Sequence, residues 1–206
     1  MKKTVAVVGL GVALLLAGLG FWQVQARAAA LQALPVNTRL GGELVLPSTL
    51  GHKIDIKDYR GKVVLLTFGF TSCPDVCPTV MARLRQVLKG LGAGADGVQV
   101  LFVSFDPARD SLDHLKQYVG YFDPRMVGAT GSEAEVAAVA KRYGALYVKE
   151  DSGSAAGYGF AHSDYIYLID GDGHVRKLYD THASTNEIQA DVATLAGNRR
   201  LYGLGG

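Results

Sequence analysis

The sequence predicts an α/β domain carried behind one apolar N-terminal helix, and three features predict it. Two near-continuous apolar runs, Val63–Phe70 and Val98–Phe105, read as strands covered on both faces, with a helical pattern between them. Asp170-Gly171-Asp172-Gly173 separates two further apolar stretches and marks a tight hairpin. At the front, Lys2 and Lys3 precede a stretch without charge from Thr4 to Trp22.

That first stretch is long enough to cross a bilayer as a helix, for which about 20 apolar residues suffice. The lysine pair places its start in the cytoplasm and the rest of the chain outside it, with Phe21 and Trp22 at the far interface. A cleaved signal sequence is the competing reading, but Ala26-Arg27-Ala28 is a poor cleavage site and the apolar run exceeds a usual signal core. Both readings export the domain. The expected organisation is an anchor or signal sequence over 1–25, a tether over 26–38, a globular domain over 39–200 and a frayed tail over 201–206.

Within the domain, Glu43-Leu44-Val45-Leu46 and Ile54-Asp55-Ile56 form a hairpin about Gly51-His52-Lys53. After the strand Val63–Phe70, the residues Thr79 to Leu91 put Val80, Met81, Leu84, Val87, Leu88 and Leu91 on one helical face, and Gly90 and Gly92 end the helix. After the strand Val98–Phe105, Asp110-Ser111-Leu112-Asp113 opens a helix to about Phe122, with Asp110 read as its cap. Ser132-Glu133-Ala134-Glu135 is a capping box for a helix that stops near Gly144. Strands over Tyr165–Ile169 and Val175–Tyr179 flank the hairpin turn. Ser184-Thr185-Asn186-Glu187 opens a last helix to about Ala196. Two parallel strands joined by a helix, then an antiparallel hairpin and a final helix, describe a thioredoxin-like sandwich. The N-terminal β-hairpin and one extra helical segment decorate it.

The bulk numbers agree with one domain and an appendage. The chain has 206 residues, 49% hydrophobic and 19% charged, enough apolar content for a packed core. Its formal net charge of +2, without a basic stripe, excludes a nucleic-acid partner. The 26 glycines follow no fixed period, so no repeat architecture is expected.

Both cysteines of the chain lie in Phe68-Gly69-Phe70-Thr71-Ser72-Cys73-Pro74-Asp75-Val76-Cys77-Pro78, between a strand end and a helix start. Proline suits the first helical position, so Pro78 puts Cys77 at or near the N-cap. Unpaired N–H groups there favour a thiolate. Two thiolates make a soft site for Cu(I), Zn(II) and similar ions, and leave the coordination shell incomplete. The same sulfurs form a redox-active pair able to close a disulfide where geometry permits. Of the five histidines, His52 and His174 fall in hairpin turns, His114 on the exposed side of a helix and His182 in a loop. His162 alone stands just ahead of the strand that begins near Tyr165, and in this topology the entry to that strand packs against the dithiol turn. A Cys73, Cys77, His162 set suits Cu(I) or Cu(II), and also Zn(II) with a water; the residues do not choose between them.

The chain resembles the SCO/SenC proteins, membrane-tethered thioredoxin-like copper proteins that serve cytochrome c oxidase assembly. The resemblance runs from Leu40 to Ala196. It is carried by Gly61-Lys62, by the cysteine segment quoted above, by Val103-Ser104-Phe105-Asp106-Pro107-Ala108-Arg109-Asp110, and by His162-Ser163-Asp164-Tyr165-Ile166-Tyr167-Leu168-Ile169-Asp170. It implies Cys73, Cys77 and His162 as copper ligands, with copper the cofactor. It implies delivery of copper to the binuclear site of oxidase subunit II, or reduction of the cysteines there, by a protein held on the inner membrane by one span and facing the periplasm. Asp106 and Asp110 match an acidic pattern of the family. Thr71-Ser72 departs from it, since many members carry a histidine before the first cysteine. The Gly-, Ser- and Ala-rich segment Asp151–Gly159 suggests a mobile loop carrying His162.

The rival class is a thiol–disulfide oxidoreductase, which uses the same two thiols without needing His162. A redox or copper sensor and a merely stabilising disulfide complete the alternatives, though closing so short a loop adds little stability.

Overall fold

The structure is a computed structural model that describes residues 16–26, 28–29, 34–151 and 157–198. The chain divides into two units, Met1–Pro35 and Val36–Gly206. In the first, residues 16–26 are helical and Leu16, Leu19, Phe21, Trp22 and Val24 are exposed. Among the described residues no helix is long and apolar enough to cross a membrane. Most of the expected span, residues 4–15, lies outside the described residues, as does the expected frayed tail over 201–206.

The second unit is built on a five-stranded sheet in the order β5-β4-β3-β8-β9. Its strands are β3 (Val63–Gly69), β4 (Val98–Ser104), β5 (Val127–Ala129), β8 (Ile166–Ile169) and β9 (Val175–Tyr179). β3 runs parallel to β4 and antiparallel to β8, so it is the central strand. All seven of its residues are buried, which is why it reads as an unbroken apolar run rather than an alternating one. Val64, Leu66 and Phe68 point into one core with Leu101, Val103, Tyr167 and Tyr143. On β4, Phe102 lies between core members Leu101 and Val103 and faces the other way, onto Tyr118 at 5.4 Å.

The helices are α1 (Val76–Leu91), α2 (Leu112–Phe122), α3 (Glu133–Tyr143) and α4 (Thr185–Asn198). The expected face of α1 is buried at Val80, Met81, Leu84, Val87 and Leu88, while Leu91 is only half-buried. α1 starts earlier than its proline suggests. Asp75 is the N-cap, and Pro78 stands at the third helical position, where its missing N–H has no intrahelical acceptor to lose. α2 is capped by Ser111, whose side chain accepts from His114 N, and not by Asp110. The capping box at Ser132 and Glu135 opens α3 in both directions, and Gly144 closes it at φ 65°, a left-handed position natural to glycine.

The N-terminal hairpin joins β1 (Val45–Pro47) to β2 (Lys53–Asp55). It attaches to β5 through the bond from Thr49 N to the Gly128 carbonyl, 2.9 Å. A second antiparallel pair was not expected: β6 (Tyr147–Asp151) with β7 (Tyr158–His162). His162 therefore ends a strand, opposite Tyr147, rather than riding on a loop. The residues between these strands, 152–156, lie outside the described residues.

The central strand sets a stability prediction. Leu66 has no solvent exposure. Leu66→Ala is expected to cost about 2–5 kcal/mol, read as a lower urea midpoint with an unchanged slope.

Candidate metal centre

The site begins where β3 ends. Gly69 is its last residue, and the chain then turns through Phe70–Asp75 into α1. Gly69 is required by space: a methyl group on it would stand 2.7 Å from Cys77 Sγ and 3.0 Å from the Phe102 ring. Cys77 occupies the second position of α1 and is 3% exposed, while Cys73, on the turn, is half-buried. The Asp75 side chain makes no cap bond, so the first N–H groups of the helix are left for other acceptors. Cys77 N takes Cys73 Sγ, at 3.5 Å.

The helix end therefore favours charge on Cys73, not on Cys77 as the N-cap reading suggested. The Cys77 thiol donates to Cys73, and with help from the His162 ring and the Cys77 and Asp75 N–H groups it holds the Cys73 thiol well below its ordinary range. Burial acts against this and loses. Cys77 is pushed up for the complementary reason, since its proton is held by Cys73 and the site around it is dry. One proton is thus readily lost from the pair and the second is retained.

His162 arrives from the end of β7. Its Nε2 lies 3.7 Å from Cys77 Sγ. The ring rests edge-on against Phe105 at 5.1 Å and Phe70 at 5.9 Å. The opposite nitrogen, Nδ1, bonds the Ser163 carbonyl at 3.2 Å and lies 2.9 Å from Asp164 Oδ1. The carbonyl contact has hydrogen-bond geometry, and the Asp164 contact is chiefly ionic because Oδ1 lacks a well-aligned donor. Both favour a proton on Nδ1, which leaves the Nε2 lone pair aimed at the sulfurs. Burial alone would lower the His162 pKa, but the bonds to Cys73 and Ser163 and the Asp164 charge outweigh it and raise it. Asp164 is itself raised, by burial first, against the pull of His162.

The ligand atoms of Cys73, Cys77 and His162 lie within 4.8 Å of one another. Sulfur and nitrogen donors on bonds of roughly 2.0–2.3 Å, spread trigonally about one ion, stand about 3.7 Å apart. The Cys77–His162 separation matches that spacing, so this donor set fits a soft ion without large movement. A cleft of about 370 Å³, lined by Phe70, Cys73, Phe160, His162 and Asp164, opens onto Cys73.

The other histidines do not join the site. His114 is exposed and contacts Thr71 Oγ1 at 3.0 Å, and His52 and His182 are exposed in turns. Among the described residues, Asp170, Asp172 and His174 form a second cluster of potential donors. There Asp170 already pairs with Arg176 at 2.8 Å and accepts from the Asp172 and His174 N–H groups, so its carboxylate builds the hairpin turn. Asp164 was not singled out from the sequence; a carboxylate close in sequence to a candidate histidine ligand was the available signal. Asp110 proves to be fully buried and to accept from Thr71 N at 3.0 Å and from the Thr71 and Ser104 hydroxyls, far from a capping role.

Residues 32–197 match the model of the SCO1/SenC family. The chain belongs to the SCO1/SenC family. The human mitochondrial SCO1 homolog is 35% identical over 157 residues, which take in 75% of this chain and 52% of that protein. The chain thus spans about half the length of that relative. Among solved structures, Bradyrhizobium japonicum ScoI with copper bound is 35% identical with a TM-score of 0.70, covering 76% of this chain and 99% of that one. BsSco, described as a member of the Sco family of cytochrome c oxidase assembly proteins with a disulfide switch, is 25% identical with a TM-score of 0.64, covering 79% of this chain and 96% of that one. The α/β thioredoxin-like Sco fold expected from the strand order is therefore shared with these proteins.

Two outcomes test the centre. In the metal-free reduced protein at pH 6, where an ordinary thiol of pKa about 8.5 is almost fully protonated, alkylation should label Cys73 and spare Cys77. Peptide mapping by mass spectrometry reads the ratio, and equal labelling contradicts the assigned asymmetry. Gly69→Ala should displace the Cys77 sulfur and cost about 1–3 kcal/mol through overpacking, measured by chemical denaturation.

Proposed function

We propose that this SCO1/SenC protein carries copper on Cys73, Cys77 and His162 and passes it to the binuclear copper site of cytochrome c oxidase subunit II. The observation that carries this reading is the approach of the three donor atoms to within 4.8 Å. Its chemistry supports copper: two thiolates hold Cu(I), and adding one neutral imidazole suits Cu(II). A family relative described with copper bound adds to the case. The same metal is cargo in this reading, so the half-buried Cys73 at the mouth of the cleft is the natural point of exchange.

The second function of the pair is reduction of cysteines in the recipient. What favours it is the asymmetry of the thiols, since a favoured Cys73 thiolate attacks a disulfide and the retained Cys77 proton marks the resolving partner. In that step Cys73 sulfur bonds to a recipient sulfur and releases the other as a thiol. Cys77 then displaces the recipient and closes the Cys73–Cys77 disulfide, so two electrons pass to the recipient.

In this reading residues 1–25 anchor the domain, 26–38 tether it and 39–200 form the copper domain at the periplasmic face of the inner membrane. The uncharged stretch Thr4–Trp22 behind Lys2 and Lys3 supports the anchor.

Titration of the reduced protein with Cu(I) and Cu(II), followed by native mass spectrometry, should give about one copper per chain. His162→Ala should lower Cu(II) affinity by about 10–100-fold and alter the visible absorption, and Cys73→Ser, which leaves one thiolate, should weaken the thiolate absorption. A wild-type protein that keeps no copper against a moderate competitor defeats the copper reading. Turnover of a model disulfide without copper, together with no copper transfer, would establish the oxidoreductase in its place.

A further inference from the structure

We propose that the turn Asp106–Asp110 is a clamp that sets the distance between the cysteine loop and the histidine strand. The proposal rests on the copper reading above for its purpose, and on the contacts of the turn for its mechanism.

One jaw holds the cysteine loop. Asp110 has no solvent exposure, and its carboxylate accepts from Thr71 N and the Thr71 hydroxyl. Thr71 lies on the turn that leads to Cys73. The Ser104 hydroxyl, at the end of β4, donates to the same carboxylate and ties it to the sheet. The turn is closed on itself by Asp110 N bonding the Asp106 carbonyl at 2.9 Å.

The other jaw holds the histidine strand. Arg109 Nη1 donates to the Tyr158 carbonyl at 2.9 Å, and its guanidinium lies 3.7 Å over the Tyr158 ring. Asp106, 2% exposed, pairs with Arg109 Nε and accepts from the Tyr158 hydroxyl at 2.8 Å. Guanidinium, carboxylate and phenol thus close a ring of contacts. Side chains alternate along a strand, so Tyr158, Phe160 and His162 leave β7 on one face. Tyr158 meets Arg109, Phe160 meets Phe70 at 5.2 Å, and His162 meets Cys77. Fixing Tyr158 therefore fixes the angle at which β7 brings His162 to the sulfurs.

A buried charged pair contributes little net stability compared with apolar packing, which leaves orientation as the better account of this one. Donation from two guanidinium nitrogens to separate acceptors, together with stacking on the Tyr158 ring, also explains arginine rather than lysine at 109. Asp106, Arg109, Asp110 and Tyr158 are positioning residues that act through Thr71 and His162.

The test compares wild type, Tyr158→Leu and Tyr158→Phe in the full-length chain. Arg109→Ala strands the Asp106 charge and risks misfolding, whereas Tyr158→Leu keeps the Asp106–Arg109 pair. Hydrogen exchange in the metal-free protein should show the β7 amides of Tyr158→Leu opening at least about tenfold faster, with β3 and β4 unchanged. Cu(II) affinity should fall about tenfold with a weakened thiolate absorption, while Cu(I), held by two sulfurs, changes much less. Tyr158→Phe, which keeps the stacked ring, should recover most of both. Unchanged β7 exchange overturns the clamp, whether or not copper binds. Equal losses for Cu(I) and Cu(II) also overturn it, by marking general destabilisation. A wild type that binds no copper removes the function proposed above, and the exchange result still decides the clamp.

Discussion

The contact between Cys77 Sγ and His162 Nε2, 3.7 Å long, joins points 85 residues apart in the chain. The rest of the centre depends on it. Neither segment can produce it alone: one delivers a pair of sulfurs at a helix start, the other an imidazole at a strand end. The sheet brings them together by placing β8, the strand that follows His162, directly beside β3, the strand that precedes the cysteines. Phe70 and Phe105 then pack edge-on against the ring. The approach of the three candidate donors is thus a product of strand order, and local sequence supplies only the donors themselves.

Long, periodic elements were legible from the sequence because burial on both faces or one face writes itself into composition. β3, β4, α1 and the Asp170–Gly173 hairpin are of this kind. β5 has three residues, too few for any period to show. β6 and β7 were not legible for a different reason. Lys149, Glu150 and Asp151 are exposed, and nothing in their apolarity announces a strand whose order comes from pairing with Tyr158–Phe160. The start of α1 was misplaced because Asp75 makes no cap bond while Pro78 looks like a first helical residue.

Site residues divide along the same line. Cys73, Cys77 and His162 could be proposed from donor chemistry and topology. Asp110 was misread because an aspartate just ahead of a helix has the composition of a cap, and only the path of the cysteine loop above it shows the carboxylate turned inward. Tyr158 carries no signature of its own, and Asp164 only its closeness in sequence to His162. Their roles come from neighbours distant in the chain or from the orientation of a single ring.

The unequal depth of the two sulfurs gives any bound ion a front and a back. Cys77 is buried, the imidazole packs against Phe70 and Phe105 in the cleft wall, and Cys73 faces the open cleft. On the copper-carrying proposal, an incoming donor would approach from the Cys73 side and replace that ligand before the others. On the same proposal, the ion would leave the way it came, with the deep pair as its last hold, so that uptake and release would share one doorway.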